Sequence, residues 1–265
     1  MRIAAAFAER RAKGEAALIP YSCAGFPSRQ ESLELLHAAA GAGADLIELG
    51  IPFSDPLADG PTIQKATFEA LRKGMTVRGV LDVLREFRRS ADTPVVLMTY
   101  LNPIYHFGLE AFVSAAREAG ADGLLITDLP ANADPELEET VQGSGLDLIR
   151  LLAPTTSTDR IPVVASGASG YLYYLSRTGV TGARTELRVE LAREIEAIRA
   201  AVDLPVAVGF GVSTPEHAAL LAEVADGVIV GSALLDAVGA GGVSKGAAFL
   251  SSLRAAMDGV VRQRS

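Results

Sequence analysis

Short apolar runs recur along the chain, at residues 17–24, 46–50, 95–99, 123–127, 148–152, 171–175, 206–210 and 228–230, each followed by a turn-rich stretch. Their length and flanks predict strands. Between them the segments "SRQESLELLHAAAGAG", "LEAFVSAAREAGA", "TELRVELAREIEAIRAAV" and "TPEHAALLAEVA" repeat apolar residues at helical spacing. Strand and helix therefore alternate, which predicts a mostly parallel sheet. Helix starts carry capping chemistry: Ser28 with Glu31 three residues on, Asp134 before Pro135, and Ser213 or Thr214 ahead of Pro215 and Glu216. No linker or composition break divides the chain. Eight such pairs in about 250 residues predict an α/β fold, one (β/α)8 barrel domain over residues 1–265 with an extra N-terminal helix. A doubly wound open sheet is the alternative, because periodicity does not distinguish closed from open.

Composition narrows the partners more than the fold. The chain has 265 residues, 49% of them hydrophobic, with mean hydropathy +0.27, enough for a large core. A net charge of −8 without a dense basic run predicts no nucleic-acid footprint and no anionic membrane. No uninterrupted apolar stretch of about 18 residues stands out as a membrane span, and "MRIAAAFAERRAKGEAALIP" turns charged too soon for a secretory signal. A cytoplasmic location is expected. The single cysteine, Cys23, has no disulfide partner in the chain and is expected to be a buried strand thiol.

Candidate chemistry concentrates in "IELGIPFSDPLADGPTIQ", residues 47–64. Strand alternation puts Leu46, Glu48 and Gly50 on one face and Ile47 and Leu49 on the other. Barrel active sites lie at the carboxyl ends of the strands, so an inward Glu48 would stand at the pocket mouth beneath Asp55 and Asp59. Burial raises a carboxyl group toward the range where it both gives and takes a proton. The competing readings are a buried acid paired with arginine for Glu48 and a turn former for Asp59. Two glycine-bearing strand ends, "VGFGVSTPEH" and "IVGSALLDA", follow strands 7 and 8, where barrels commonly bind phosphate. Residues 176–186, "SRTGVTGARTE", are either an idle loop or a lid. The four lysines, Lys13, Lys65, Lys73 and Lys245, fall away from strand ends, which disfavours an imine. His37 and His217 read as helix-surface residues and His106 is open; their spacing disfavours a metal site. What remains is proton transfer by carboxylates on a phosphorylated substrate.

These motifs carry a resemblance. The blocks "IELGIPFSDPLADGPTIQ", "MTYLNPIYHFG", "ITDLPA", "LLAPTTSTDRI", "YLYYLSRTGVTGAR", "VGFGVSTPEH" and "VGSA" run in the order found in the α subunits of tryptophan synthase, which the chain resembles over essentially its whole length. The resemblance implies cleavage of indole-3-glycerol phosphate to indole and glyceraldehyde 3-phosphate, with Glu48 and Asp59 as catalytic residues. It implies substrate binding by Tyr173, Thr181, Gly182, Phe210, Gly211, Gly231 and Ser232, with Thr181 as the lid residue that meets the aspartate, and an indole pocket lined by Met98, Leu125 and Thr127. It implies no cofactor or metal, since the indole ring itself accepts electrons. The implied partner is a β subunit in an α2β2 complex, facing Pro52, Phe53, Asp55 and Pro56. A free-standing lyase and a regulatory partner of the β subunit are the alternatives. The chain departs from the commoner pattern at Phe26, in Gly25-Phe26-Pro27, and at Lys65 and Thr67, changes expected to bear on partner affinity.

Overall fold

Alternation along the strands sorts the apolar side chains into two cores separated by a closed sheet. In the computed structural model, which describes residues 1–176, 184–209 and 211–260, the strands are β1 (Ala17–Cys23), β2 (Ile47–Gly50), β3 (Val95–Thr99), β4 (Gly123–Ile126), β5 (Asp147–Leu152), β6 (Leu172–Leu175), β7 (Val206–Gly209) and β8 (Gly227–Val230). All are parallel and adjacent in chain order, and β8 pairs back onto β1. This is the (β/α)8, or TIM, barrel; the open sheet is excluded. Each strand ends within one residue of the apolar run that predicted it.

The helices are α1 (Arg2–Lys13), α2 (Arg29–Gly41), α3 (Pro61–Arg72), α4 (Val77–Phe87), α5 (Leu101–Phe107), α6 (Leu109–Ala119), α7 (Pro135–Ser144), α8 (Ile161–Val164), α9 (Arg184–Ala201), α10 (Pro215–Ala222) and α11 (Ser232–Asp258). The expected caps form: the side chains of Ser28, Asp134 and Thr214 accept from the N–H groups of Glu31, Leu137 and His217. Each satisfies one of the donors that a helix start leaves unpaired.

Ile47, Leu49, Val95, Leu97, Leu124, Leu148, Val208 and Val228 pack outward against the helices. Ala17, Ile19, Leu46, Val96, Leu125, Ile149, Tyr171, Ala207 and Ile229 fill the barrel interior. The N-terminal helix α1 closes the lower end, adding Ile3 and Phe7 to that inner core, with the Phe7 ring 5.5 Å from Tyr171. The upper end, where the strands finish, is left for a site.

A polar repeat fixes the lower rim. Just before each even-numbered strand, a side chain accepts the N–H at the start of the preceding odd-numbered strand. Asp45 takes Leu18 N–H at 2.8 Å, Asp122 takes Val95 at 2.8 Å, Ser169 takes Leu148 at 2.9 Å and Asp226 takes Val206 at 3.0 Å. Arginines neutralise the three aspartates: Arg10 and Arg254 at Asp45, Arg2 and Arg88 at Asp122, and Arg199 at Asp226.

Two details add to what the sequence indicated. His37 is half-buried against Phe87, ring centroids 4.9 Å apart, and His217 is half-buried beside Ser213, while His106 is exposed on α5. Helix α11 alone among the described residues is long and apolar enough, by length and composition, to cross a membrane. Its backbone breaks at Gly241 and Gly242, and it packs on α2, α10 and β1.

Candidate active site

Glu48 pairs in register with Tyr21 of β1 and Val96 of β3 and shares the inward face of β2 with Leu46. It is 1% exposed. Its Oε1 accepts a 2.6 Å hydrogen bond from the Tyr171 hydroxyl, and its Oε2 has no protein hydrogen-bond partner among the described residues. The arginine pairing weighed from sequence is absent among the described ion pairs; the buried Arg150 alternates with the inward Ile149 and Leu151 of β5, so it faces the helices, and it pairs with Glu138 at 2.6 Å. Burial without a counter-charge pushes the Glu48 carboxyl up to about 8, opposed only by the Tyr171 hydrogen bond. At neutral pH this group is therefore an acid.

Asp59 stands on the loop between β2 and α3. Its N–H donates to Pro56 O at 3.1 Å, and Gln64 Nε2 donates to its carbonyl at 2.8 Å, so the turn reading is correct for the backbone. The side chain does something else. Partial burial pushes its carboxyl up to about 6, opposed by a hydrogen bond from Tyr100. Two carboxyl groups at one mouth thus differ in proton affinity, one protonated and one ionised at neutral pH.

Two tyrosines frame that mouth, each lying across a glycine at the end of the neighbouring strand. A Cβ at Gly209 would come within 2.3 Å of the Tyr173 hydroxyl, and one at Gly50 within 2.2 Å of the Tyr21 hydroxyl. Both phenols feel the charges of Glu48 and Asp59, and burial together with those charges holds their protons on. Tyr173 is an expected site residue; Tyr21, Tyr100 and Tyr171 are not. Strand phase carried a signal for one of them, because Tyr171 is two residues from Tyr173; that Tyr21 is the register partner of Glu48 is a tertiary fact.

The glycine-bearing ends of β7 and β8 open on the same face. Gly211 has φ +70°, and Gly231 caps α11, whose first residue is Ser232. A Cβ at Gly231 would lie 3.6 Å from the Tyr21 side chain, so the end of β8 and the carboxylate end meet at Tyr21. Met98 is half-buried on the inward face of β3 and pairs with Gly50, Leu125 is fully buried in the inner core, and Thr127 donates to Thr99 O at 3.2 Å. Thr181, Gly182 and Phe210 lie outside the described residues, as does most of the 176–186 segment.

Outside the mouth, Phe53 and Pro56 join Ser54, Gln64, Lys65 and Phe68 in lining a groove of about 360 Å³. Pro52 is buried, Asp55 is exposed, and beside them Leu57 and Phe68 are 94% and 62% exposed. Thr67 also borders the groove but is 4% exposed and lies 3.8 Å from the Cys23 sulfur. Cys23 is the buried thiol expected, its pKa pushed up to about 12 by burial. Phe26 is likewise buried, so an apolar contact replaces any polar one at that position.

The family model for the tryptophan synthase alpha chain matches residues 7–257. The tryptophan synthase alpha chain of Acidiphilium cryptum is 49% identical over 98% of this chain and 94% of its own length. That of Phenylobacterium zucineum is 51% identical over 89% of this chain and 86% of its own. The crystal structure of tryptophan synthase subunit alpha from Legionella pneumophila superposes with a TM-score of 0.90 at 40% identity, covering 98% of this chain and 99% of that one. A family match over nearly all of the barrel, joined to relatives at about half identity, means that this chain belongs to the tryptophan synthase α-chain family.

Proposed function

We propose that Glu48 and Asp59 perform the cleavage of indole-3-glycerol phosphate to indole and glyceraldehyde 3-phosphate, the reaction that membership of the family assigns to this chain. The observation that carries the reading is the pair of carboxyl groups at the barrel mouth, one pushed up to about 8 and the other to about 6. Protonation of indole carbon 3 converts the ring nitrogen into an iminium. The bond from carbon 3 to the glycerol chain then breaks, its electrons return to the ring, and the adjacent hydroxyl becomes the aldehyde as it loses its proton. Glu48, protonated at neutral pH and held by Tyr171, delivers one proton and removes the other. Asp59, ionised at the same pH, stabilises positive charge at the ring nitrogen. Tyr173 borders the reacting centre, and Gly211, Gly231 and Ser232 hold the phosphate through backbone N–H groups at the start of α11 and the turn after β7. Thr181, Gly182 and Phe210 complete the phosphate and lid contacts, and Met98, Leu125 and Thr127 the indole wall.

The chain acts as one domain, in the cytoplasm, with a β subunit in an α2β2 assembly. The partner seats on Phe53, Asp55 and Pro56, where Leu57 and Phe68 leave apolar surface in water. The test is indole release by the parent and by Glu48→Gln, each with and without a β subunit. The expected result is release by the parent, acceleration by the β subunit, and a loss of about 10² or more in Glu48→Gln. A fast parent indifferent to the β subunit would make it a free-standing lyase. An active Glu48→Gln would remove the acid–base role.

A further inference from the structure

We propose that Phe7 of α1 is a positioning residue for the cleavage, its ring propping Tyr171 so that the Tyr171 hydroxyl holds the Glu48 carboxyl in place. This rests on the reading of Glu48 given above. Tyr171 stands one residue before β6, at the lower end of the barrel, and is fully buried in the inner core. Its hydroxyl donates to Glu48 Oε1 at 2.6 Å. Its ring meets that of Phe7 with 5.5 Å between centroids and a tilt of 45°. Tilted rings at such a separation attract through the edge of one and the face of the other. One tyrosine therefore joins the helix that closes the floor to the acid on β2.

Phe7 has a fixed seat. A Cβ at Gly227 would come within 3.3 Å of the Phe7 ring, 3.0 Å of the Ile19 side chain and 3.1 Å of that of Ala207, so the ring fills the space this glycine leaves at the start of β8. Ile3, four residues earlier and on the same face of α1, is fully buried in the same inner core. The helix is thus docked through its apolar face. Among the described residues, Phe7 is the only ring paired with Tyr171, and Glu48 is the only side chain bonded to the Tyr171 hydroxyl. The link runs through the apolar interior and not through the polar rim at the strand starts.

The consequence concerns which oxygen carries the proton. A protonated carboxyl bears its proton on one oxygen and accepts on the other. The phenol donates to Oε1, which leaves Oε2, without a protein partner among the described residues, to hold the proton that is delivered. A proton-transfer group gains its value from being held within a fraction of an ångström of the reacting atom. With a smaller side chain at residue 7 the Tyr171 ring sinks toward the floor, its hydroxyl withdraws from Oε1, and the carboxyl is free to turn. The rate of the chemical step falls. The proposed phosphate contacts lie at the ends of β7 and β8, away from Phe7, so substrate affinity holds.

The experiment measures kcat and KM for indole release by the full chain as parent, Phe7→Leu, Tyr171→Phe, the double variant and Glu48→Gln, with circular dichroism to check that each is folded. Phe7→Met, which refills the volume with a flexible chain, takes the place of Phe7→Leu if that variant does not fold. We expect kcat to fall about fivefold in Phe7→Leu and about tenfold in Tyr171→Phe with KM unchanged in both, and the double variant to match Tyr171→Phe within about twofold, because the two residues act along one route. Losses that multiply, to about fiftyfold in the double variant, would overturn the proposal, since Phe7 would then act without the Tyr171 hydroxyl. So would parental kcat in folded Phe7→Leu, or in Tyr171→Phe, beside an inactive Glu48→Gln; the role of Glu48 would stand in both cases. Parental turnover in Glu48→Gln would remove that role and the prop with it.

Discussion

At Glu48 the protein holds a proton that an exposed glutamic acid would have lost, and a few ångströms of loop decide that Asp59 does not. The difference is burial: Glu48 lies inside the sheet, whereas Asp59 is half-open and receives a phenol hydrogen bond. The proposed cleavage needs Asp59 ionised and Glu48 protonated. Activity should therefore rise through about pH 6 and fall through about pH 8, giving a bell-shaped kcat/KM for the free enzyme. Steady-state kinetics across that range check it, and a flat profile would show that neither carboxyl group governs the rate. That Glu48 shares a face with Leu46 and Gly50 was legible in the alternation of "DLIELG", since strand period sorts residues by face; which face turns inward was decided by the closed barrel. The identity of its neighbour was not legible. Tyr171 and Glu48 are far apart in the chain, and only closure of the barrel brings them to 2.6 Å.

At the scale of elements, the candidate site and the stabilising contacts occupy opposite ends of the same strands. The rung of Asp45, Asp122, Ser169 and Asp226 pins the strand starts, while Glu48, Asp59 and Gly231 stand at the strand ends or just beyond. Asp122→Ala would leave the Val95 N–H without its acceptor and the largely buried Arg88 without its 2.6 Å partner. The expected cost is about 3 kcal/mol or more, read as a lower urea midpoint, with kcat unchanged where the variant is folded. Reduced turnover in the fully folded variant would contradict this separation of the two ends. The alanine–aspartate pair before β2, β4 and β8 is visible in "GADLIE", "GADGLL" and "VADGVI". Its meaning is not, because each partner N–H belongs to another strand, and strand register is a tertiary property.

For the whole molecule, the buried, unpaired Glu48 costs stability. Below about pH 4.5 Glu48 is protonated in both folded and unfolded chains and contributes nothing. Between about 4.5 and about 8 the unfolded chain loses the proton and the folded one retains it, so stability falls as pH rises; above about 8 the full cost is present. Glu48→Gln removes this dependence. Its Tm should exceed that of the parent at alkaline pH, by the equivalent of about 5 kcal/mol at most, and converge with it in acid. Equal Tm values at all pH would mean that Glu48 titrates as it does in water.

The amino-acid sequence by itself determined the alternation of strand and helix, the strand face that Glu48 shares with Leu46, the helix caps at Ser28 and Asp134, and the motif order that marks the family. Those are local quantities, set by side-chain period, backbone sterics and short-range hydrogen bonding. The tertiary structure alone decided that the sheet closes, that the face bearing Glu48 turns inward, that Tyr171 holds Glu48 and that Arg150 pairs with Glu138. Each of these joins residues on different strands or loops, and burial and proton affinity follow from such contacts because they depend on what surrounds a group in space, not on what precedes it in the chain.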